Sequence, residues 1–231
     1  LSIHHRRKSL ENSMSRNSQA RHILQAAGIM PVVTVDSAEQ GLAIARALVA
    51  GGLTAIEVTL RSAAALDAVR AIKRELPELQ VGVGTVLNVG HIDAAHAAGA
   101  DFLVTPGTTP TLARALADCS LPSIPGVATP SEIIALMEFG FDCMKLFPAA
   151  ALGGIARIKA LAGPFPELRL CPTGGIGEAD AAQYLQQPNV LGVGGSWMVP
   201  AEWLRDQRYD AVEASAAKAR AVVDQVRAMR G

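Results

Sequence analysis

A lysine in the middle of an apolar strand asks for a chemical explanation. The run Cys143-Met144-Lys145-Leu146-Phe147-Pro148 is too short for a helix and closes on a proline, so it reads as a buried strand. An ammonium buried without a partner is costly, so such a lysine is either paired or neutral, and a neutral amine is a nucleophile. A strand lysine can also carry its head out to solvent along its own stem. The groups that share its end of the fold decide between these readings.

In Ala55 to Leu60 the polar residues Glu57 and Thr59, with Arg61 just beyond, alternate with Ile56, Val58 and Leu60, so one face carries all three polar side chains. The apolar set must cover helices, which aims Glu57, Thr59 and Arg61 inward. Alone, Glu57 and Arg61 could form a structural ion pair. Val81, Val83 and Thr85 share a face in the same way, placing a hydroxyl at the top of the next strand. Thr105-Pro106-Gly107 closes another, its glycine leaving room for close approach. An amine, a carboxylate, a guanidinium and a hydroxyl on one rim suit imine chemistry on a 2-keto acid. The amine adds to the ketone, the carboxylate relays protons and the guanidinium holds the substrate carboxylate.

Two glycine clusters, Thr173-Gly174-Gly175-Ile176-Gly177 and Gly194-Gly195-Ser196, follow the last two strand-like runs. Exposed backbone N–H groups there can converge on an anion, and barrels often bind phosphate at this place. Evidence for a metal is thin, because His22, His91 and His96 are scattered and no Cys/His spacing fits a ligand set. No cofactor is expected.

The elements that must position these groups form a repeated phrase from Gly28 onward: a β-branched run, then an Ala/Leu-rich stretch ending in Gly or Pro. Strands are expected at Ile29 to Val35, Ala55 to Leu60, Val81 to Val86, Phe102 to Pro106, Ser123 to Ala128, the lysine run, Leu168 to Cys171 and Val190 to Val193. Helices are expected at Ser37 to Ala50, Ala63 to Leu76, Val89 to Ala98, Pro110 to Asp118, Pro130 to Phe139 and Ala211 to Met229. Eight strand and helix units with strands apolar on both faces predict an α/β fold, a single (β/α)8 barrel of the TIM type. An open doubly wound sheet would carry a glycine-rich turn after its first strand, and none lies between Val35 and Ala38. Barrel chemistry sits at the C-terminal ends of the strands, where the candidate groups fall.

The chain has 231 residues, half of them hydrophobic, enough for a large core. Residues 1–17 lack apolar periodicity and read as an extension, with Met14 a candidate internal start, and residues 18–231 as the barrel. Lys plus Arg equals Asp plus Glu, 21 against 21, which gives no basic field for nucleic acid. Cys119, Cys143 and Cys171 read as unpaired thiols in a reducing compartment. No apolar run approaches the roughly 20 residues of a membrane helix and no charged-then-apolar leader opens the chain, so a cytoplasmic location is expected.

The segments Glu57-Val58-Thr59-Leu60-Arg61, Gly84-Thr85-Val86, Pro106-Gly107, Lys145 with Phe147-Pro148-Ala149, Cys171-Pro172-Thr173-Gly174-Gly175-Ile176 and Gly194-Gly195-Ser196-Trp197 occur in a characteristic order. Together they resemble the bacterial 2-keto-3-deoxy-6-phosphogluconate (KDPG) aldolase family, which includes enzymes acting on 4-hydroxy-2-oxoglutarate (KHG). The resemblance runs from about Ile23 to the C-terminus. It implies Lys145 as the Schiff-base lysine and Glu57 as the acid/base residue, with Arg61, Thr85 and Pro106 around the pyruvyl carboxylate end. It further implies a phosphate site on Thr173, Gly174, Gly175, Gly195 and Ser196, a homotrimer and no metal. One departure is Ala150, where the family often has Glu.

The expected activity is cleavage of 2-dehydro-3-deoxy-6-phosphogluconate to pyruvate and glyceraldehyde 3-phosphate, an Entner-Doudoroff type of sugar-acid catabolism. The alternatives are a KHG or phosphogalactonate aldolase, a metal-dependent aldolase on a similar barrel, and a non-catalytic phosphosugar-binding barrel.

Overall fold

The computed structural model describes residues 16–230. A helix, α1 (16–27), leads into β1 (Ile29–Val33). Then come α2 (Ala38–Ala50), β2 (Ala55–Thr59), α3 (Ala65–Glu75), β3 (Gln80–Gly84), α4 (Val89–Ala97), β4 (Phe102–Val104), α5 (Pro110–Asp118), β5 (Ser123–Ile124) and β6 (Gly126–Val127). After α6 (Pro130–Glu138) and the lysine strand β7 (Cys143–Leu146) the chain continues through α7 (Gly154–Ala162), β8 (Arg169–Pro172), α8 (Glu178–Leu185), β9 (Val193–Gly195), α9 (Ala201–Arg205) and α10 (Tyr209–Arg230).

All strand pairs are parallel. One ladder runs β5-β4-β3-β2-β1-β9 and a second runs β6-β7-β8. Pro125, which has no N–H to give, splits β5 from β6. Its carbonyl still accepts the Lys145 N–H at 2.9 Å, so the two halves act as one strand. The bridges Leu170↔Val190 and Thr173↔Gly194 join β8 to β9 and close a ring of eight. Barrel and fold class are as the repeat predicts.

Two apolar cores follow from the alternation. Residues such as Ile29, Ile56, Val58, Val81, Val83 and Met144 face the surrounding helices in one cluster. Met30, Ala55, Phe102, Val104, Ile124, Cys143 and Cys171 fill the lumen, and Ala20, Ile23, Leu24 and Ala27 of α1 seal it from below. Arg21 of α1 pairs with Asp142 at 2.8 Å. Ion pairs this exposed add little, so the apolar plug carries the attachment. At the other end of the barrel, side-chain caps from Ser37, Asn88, Thr109 and Thr129 start α2, α4, α5 and α6 directly after the strands.

The structure differs from the sequence reading at three places. Helix α1 already includes Arg16 and Asn17, which the missing apolar periodicity assigns to the extension; Asn17 is buried and its amide donates to the Gly140 carbonyl. The rest of that extension, 1–15, lies outside the described residues. The last strand is Val193–Gly195, not Val190 to Val193, because close packing rather than apolar side chains selects it. A Cβ on Gly194 would stand 2.3 Å from the Thr173 hydroxyl, and one on Gly195 1.8 Å from the Trp197 ring. In β3 the valines face the helices while Gly82 and Gly84 face the lumen, the reverse of the expected orientation.

The Gly82 position is taken by the ring of Phe102, 2.1 Å from where a Cβ would be. Truncation by Phe102→Ala would empty the centre of the lumen and is expected to cost about 3–5 kcal/mol in urea unfolding. A loss under about 1 kcal/mol would contradict this packing.

Candidate active site

Lys145 sits at the third position of β7 and is 4% exposed; Glu57, the third residue of β2, is 3% exposed. Register explains their meeting. Both strands alternate lumen-facing and helix-facing residues, and both put the charged residue one step above an inward apolar one, Cys143 and Ala55. The Lys145 Nζ donates to Glu57 Oε1 at 3.1 Å and Oε2 at 3.4 Å, and lies 5.4 Å from the centre of the Phe147 ring. Among the described residues neither charged group has another hydrogen-bond partner. A glycine makes the contact possible, since a Cβ on Gly84 would stand 2.2 Å from Glu57 Oε1.

Above the pair opens a cleft of about 430 Å³. Arg61, Lys145, Thr173, Gly174, Gly175, Gly195 and Ser196 line it, as do Val32, Thr34, Phe147 and Leu204. Seven of the residues chosen from sequence therefore meet in one cavity, with Glu57 directly behind Lys145. Arg61 is exposed to the cleft and pairs with no carboxylate among the described residues, so its guanidinium is available to an anion.

Gly174 (φ 95) and Gly175 (φ 74) follow β8 in a left-handed conformation that glycine adopts without strain. Their loop is laced to the one after β7 by Ala149 N–H to the Thr173 carbonyl at 2.8 Å and Ala150 N–H to the Gly174 carbonyl at 3.0 Å. A Cβ on Gly175 would meet the Ala150 methyl at 2.7 Å, so the small residue at 150 packs against this turn. The N–H groups of Gly174, Gly175 and Ser196 find no acceptor among the described residues. Free N–H groups at one end of a cleft are able to cradle an anion.

Thr85 and Pro106 are half-buried and lie outside this lining. Thr85 follows β3 with φ 59, a left-handed backbone rare for a β-branched residue, and this turn takes it off the strand's alternation. Pro106 is held against β6: Gly126 N–H donates to the Thr105 hydroxyl at 2.7 Å, and a Cβ on Gly126 would stand 2.5 Å from the Pro106 carbonyl carbon. Thr34 and Phe147 escaped the sequence reading as lining groups. For Thr34 the signal was the inward alternation Met30, Val32, Thr34. Among the described residues no three His, Cys, Asp or Glu side chains come together as a metal-binding group.

Two thiols share the lumen with the lysine. Burial pushes Cys171 up to about 11, the nearby Lys145 only partly offsetting it, and burial pushes Cys143 higher still. Both stay protonated at neutral pH.

A sequence profile described as KDPG and KHG aldolase matches residues 20–215. The 2-dehydro-3-deoxy-phosphogluconate aldolase of Pseudomonas aeruginosa is 46% identical over 191 residues, 83% of this chain and 87% of that protein. A KDPG aldolase from Legionella pneumophila, solved with pyruvate captured at low pH as a covalent carbinolamine intermediate, superposes with a TM-score of 0.84 at 39% identity, covering 86% of this chain and 97% of that one. The enzyme of Zymomonas mobilis ZM4, solved with 3-phosphoglycerate, gives a TM-score of 0.81 at 38% identity over 87% of this chain and 94% of that one.

The thiols give a test of the lumen's dryness. Unfolded thiols ionise near 9.0 while Cys171 in the folded protein holds its proton to about 11. The folded state then binds more protons in that window, and stability falls with rising pH by about 1.4 kcal/mol per unit for each such thiol. Urea unfolding between pH 8 and pH 10 measures it, and native labelling at pH 8 is expected to modify Cys119 alone. Rapid modification of Cys171 would show the lumen open to water.

Proposed function

The chain belongs to the KDPG and KHG aldolase family, and from that premise we propose that it is a class I aldolase cleaving 2-dehydro-3-deoxy-6-phosphogluconate to pyruvate and glyceraldehyde 3-phosphate. The observation that carries this reading is the Lys145 amine held 3.1 Å from Glu57 at the floor of the cleft. The solved relative with a pyruvate carbinolamine supports it.

In the proposed cycle the Lys145 nitrogen attacks the C2 carbonyl, and the C2 oxygen leaves as water to give a protonated imine. Glu57, near the same nitrogen, takes up and returns the protons, directly or through a bridging water. The C4 hydroxyl then gives up its proton, the C3–C4 bond breaks, and its electron pair moves into the imine to form a neutral enamine. The C4 fragment leaves as the aldehyde. Protonation of the enamine at C3 and hydrolysis release pyruvate and restore the amine. Arg61 suits the substrate carboxylate, and Thr85 and Pro106, which the family resemblance assigns to that end, follow β3 and β4 outside the cleft lining. Thr173, Gly174, Gly175, Gly195 and Ser196 suit the phosphate, and a relative solved with 3-phosphoglycerate supports a phosphorylated ligand. 4-Hydroxy-2-oxoglutarate brings a carboxylate attached directly to C4, a shorter reach and a smaller charge than a phosphate ester two carbons further on, so the phosphorylated acid fits these N–H groups better.

The reading extends to a metal-independent enzyme acting in Entner-Doudoroff type catabolism in the cytoplasm. No helix among the described residues is long and apolar enough to cross a membrane. A homotrimer would cover some of the exposed apolar side chains, which include Leu87, Val89, Ile134 and Met137.

Incubation with pyruvate and borohydride is expected to place a reduced adduct on Lys145, located by peptide mass mapping, with loss of activity in proportion. Cleavage should persist in excess chelator. Active enzyme with Lys145 unmodified, or activity lost to the chelator, would overturn the mechanism.

A further inference from the structure

Thr34 follows β1 and opens onto the cleft, and its hydroxyl lies 2.8 Å from that of Thr59. Thr59 is fully buried and donates its proton to the Val33 carbonyl at 3.1 Å. Either hydroxyl could donate across that contact, but a hydroxyl has one proton to give, and with the Thr59 proton on the Val33 carbonyl Thr34 is the donor between the two threonines. The Thr34 oxygen therefore turns lone pairs, and no proton, toward the cleft. It is a fixed acceptor.

Its place along the rim says what it would accept from. Strands β2, β1 and β9 are neighbours in that order. Arg61 follows β2, Thr34 follows β1 and Ser196 follows β9, so Thr34 stands between the guanidinium and the anion cradle. Given the aldolase reading, on which this inference rests, a substrate spanning the two ends lays its middle carbons beside Thr34. Those carbons carry two hydroxyls. The C4 hydroxyl loses its proton in the reaction; the C5 hydroxyl, next to the phosphate-bearing carbon, is a spectator with a proton free to donate.

We propose that Thr34 is a specificity residue, accepting a hydrogen bond from the C5 hydroxyl of the substrate, which is the 2-hydroxyl of the aldehyde product. Its role is to favour 2-hydroxylated phospho-aldehydes over aldehydes of the same length without that group.

The test runs in the synthetic direction, pairing pyruvate with glyceraldehyde 3-phosphate or with its deoxy analogue 3-oxopropyl phosphate. The wild-type enzyme is expected to prefer the hydroxylated aldehyde by about tenfold in kcat/KM, the scale of one partly solvated hydrogen bond. Thr34→Val should abolish the preference by slowing only the hydroxylated substrate, and Thr34→Ser should keep it. Borohydride trapping of pyruvate on Lys145 reads the lysine half-reaction separately and should be equal in all three proteins. No preference in the wild type, or a Thr34→Val loss equal for both aldehydes, overturns the proposal even where trapping succeeds. Failure of trapping in the wild type removes the aldolase reading itself.

Discussion

A lysine and a glutamate held against each other inside a ring of strands set the terms for the whole molecule. The Lys145 and Glu57 side chains are each almost wholly out of water and bond to one another at 3.1 Å. Desolvating two ions is costly, and a hydrophobic pair of similar volume is often no less stable, so such a pair is poor evidence of a stabilising device. Removing one partner would leave the other charge stranded at a cost of about 3–5 kcal/mol. An arrangement that expensive to disturb is better explained by chemistry, since a substrate carbonyl can take up the amine while the carboxylate remains at hand to move protons.

The rest of the barrel can be understood as the support for that contact. Below it the lumen is filled by Phe102, Val104, Ile124, Met30 and two thiols and stoppered by α1, so the charges sit on a dry apolar floor. Beside it Gly84 leaves the volume that the Glu57 carboxylate occupies. Above it the strand ends diverge into loops whose free guanidinium and free N–H groups face the same cleft. One end of the cavity is thus suited to a carboxylate, the other to a phosphate, and the Lys145 amine lies at its base. The fold supplies this layout by alternation alone: outward residues hold the helices on, and inward ones either fill the lumen or build its mouth.

Much of this was legible in the sequence because alternation is a strong signal where both kinds of residue are present. Glu57, Thr59 and Arg61 share a face that could only point inward, given Ile56, Val58 and Leu60 opposite, and the structure puts Glu57 on Lys145 and Arg61 in the cleft. Where one set is glycine the signal fails. In Val81-Gly82-Val83-Gly84 the period of two says that the valines share a face but not which one, and the glycines face inward because Phe102 and Glu57 need their space. The same blindness moved the last strand, whose Gly194 and Gly195 have no side chain to announce burial. Thr85 departs from its strand through a backbone turn that no pattern of side-chain types encodes. Thr34 was missed for another reason: a lone threonine gains meaning only once Thr59 is seen to fix the direction of its proton.

The central claim, that Glu57 moves protons for an imine formed on Lys145, is most directly tested by following exchange of the pyruvate methyl protons with deuterated water by NMR. The wild-type enzyme should catalyse exchange without any aldehyde present. In Glu57→Gln the rate should drop by about 10²–10⁴-fold, the usual contribution of a positioned acid/base, while pyruvate is still trapped on Lys145. Exchange at the wild-type rate in Glu57→Gln would contradict the account.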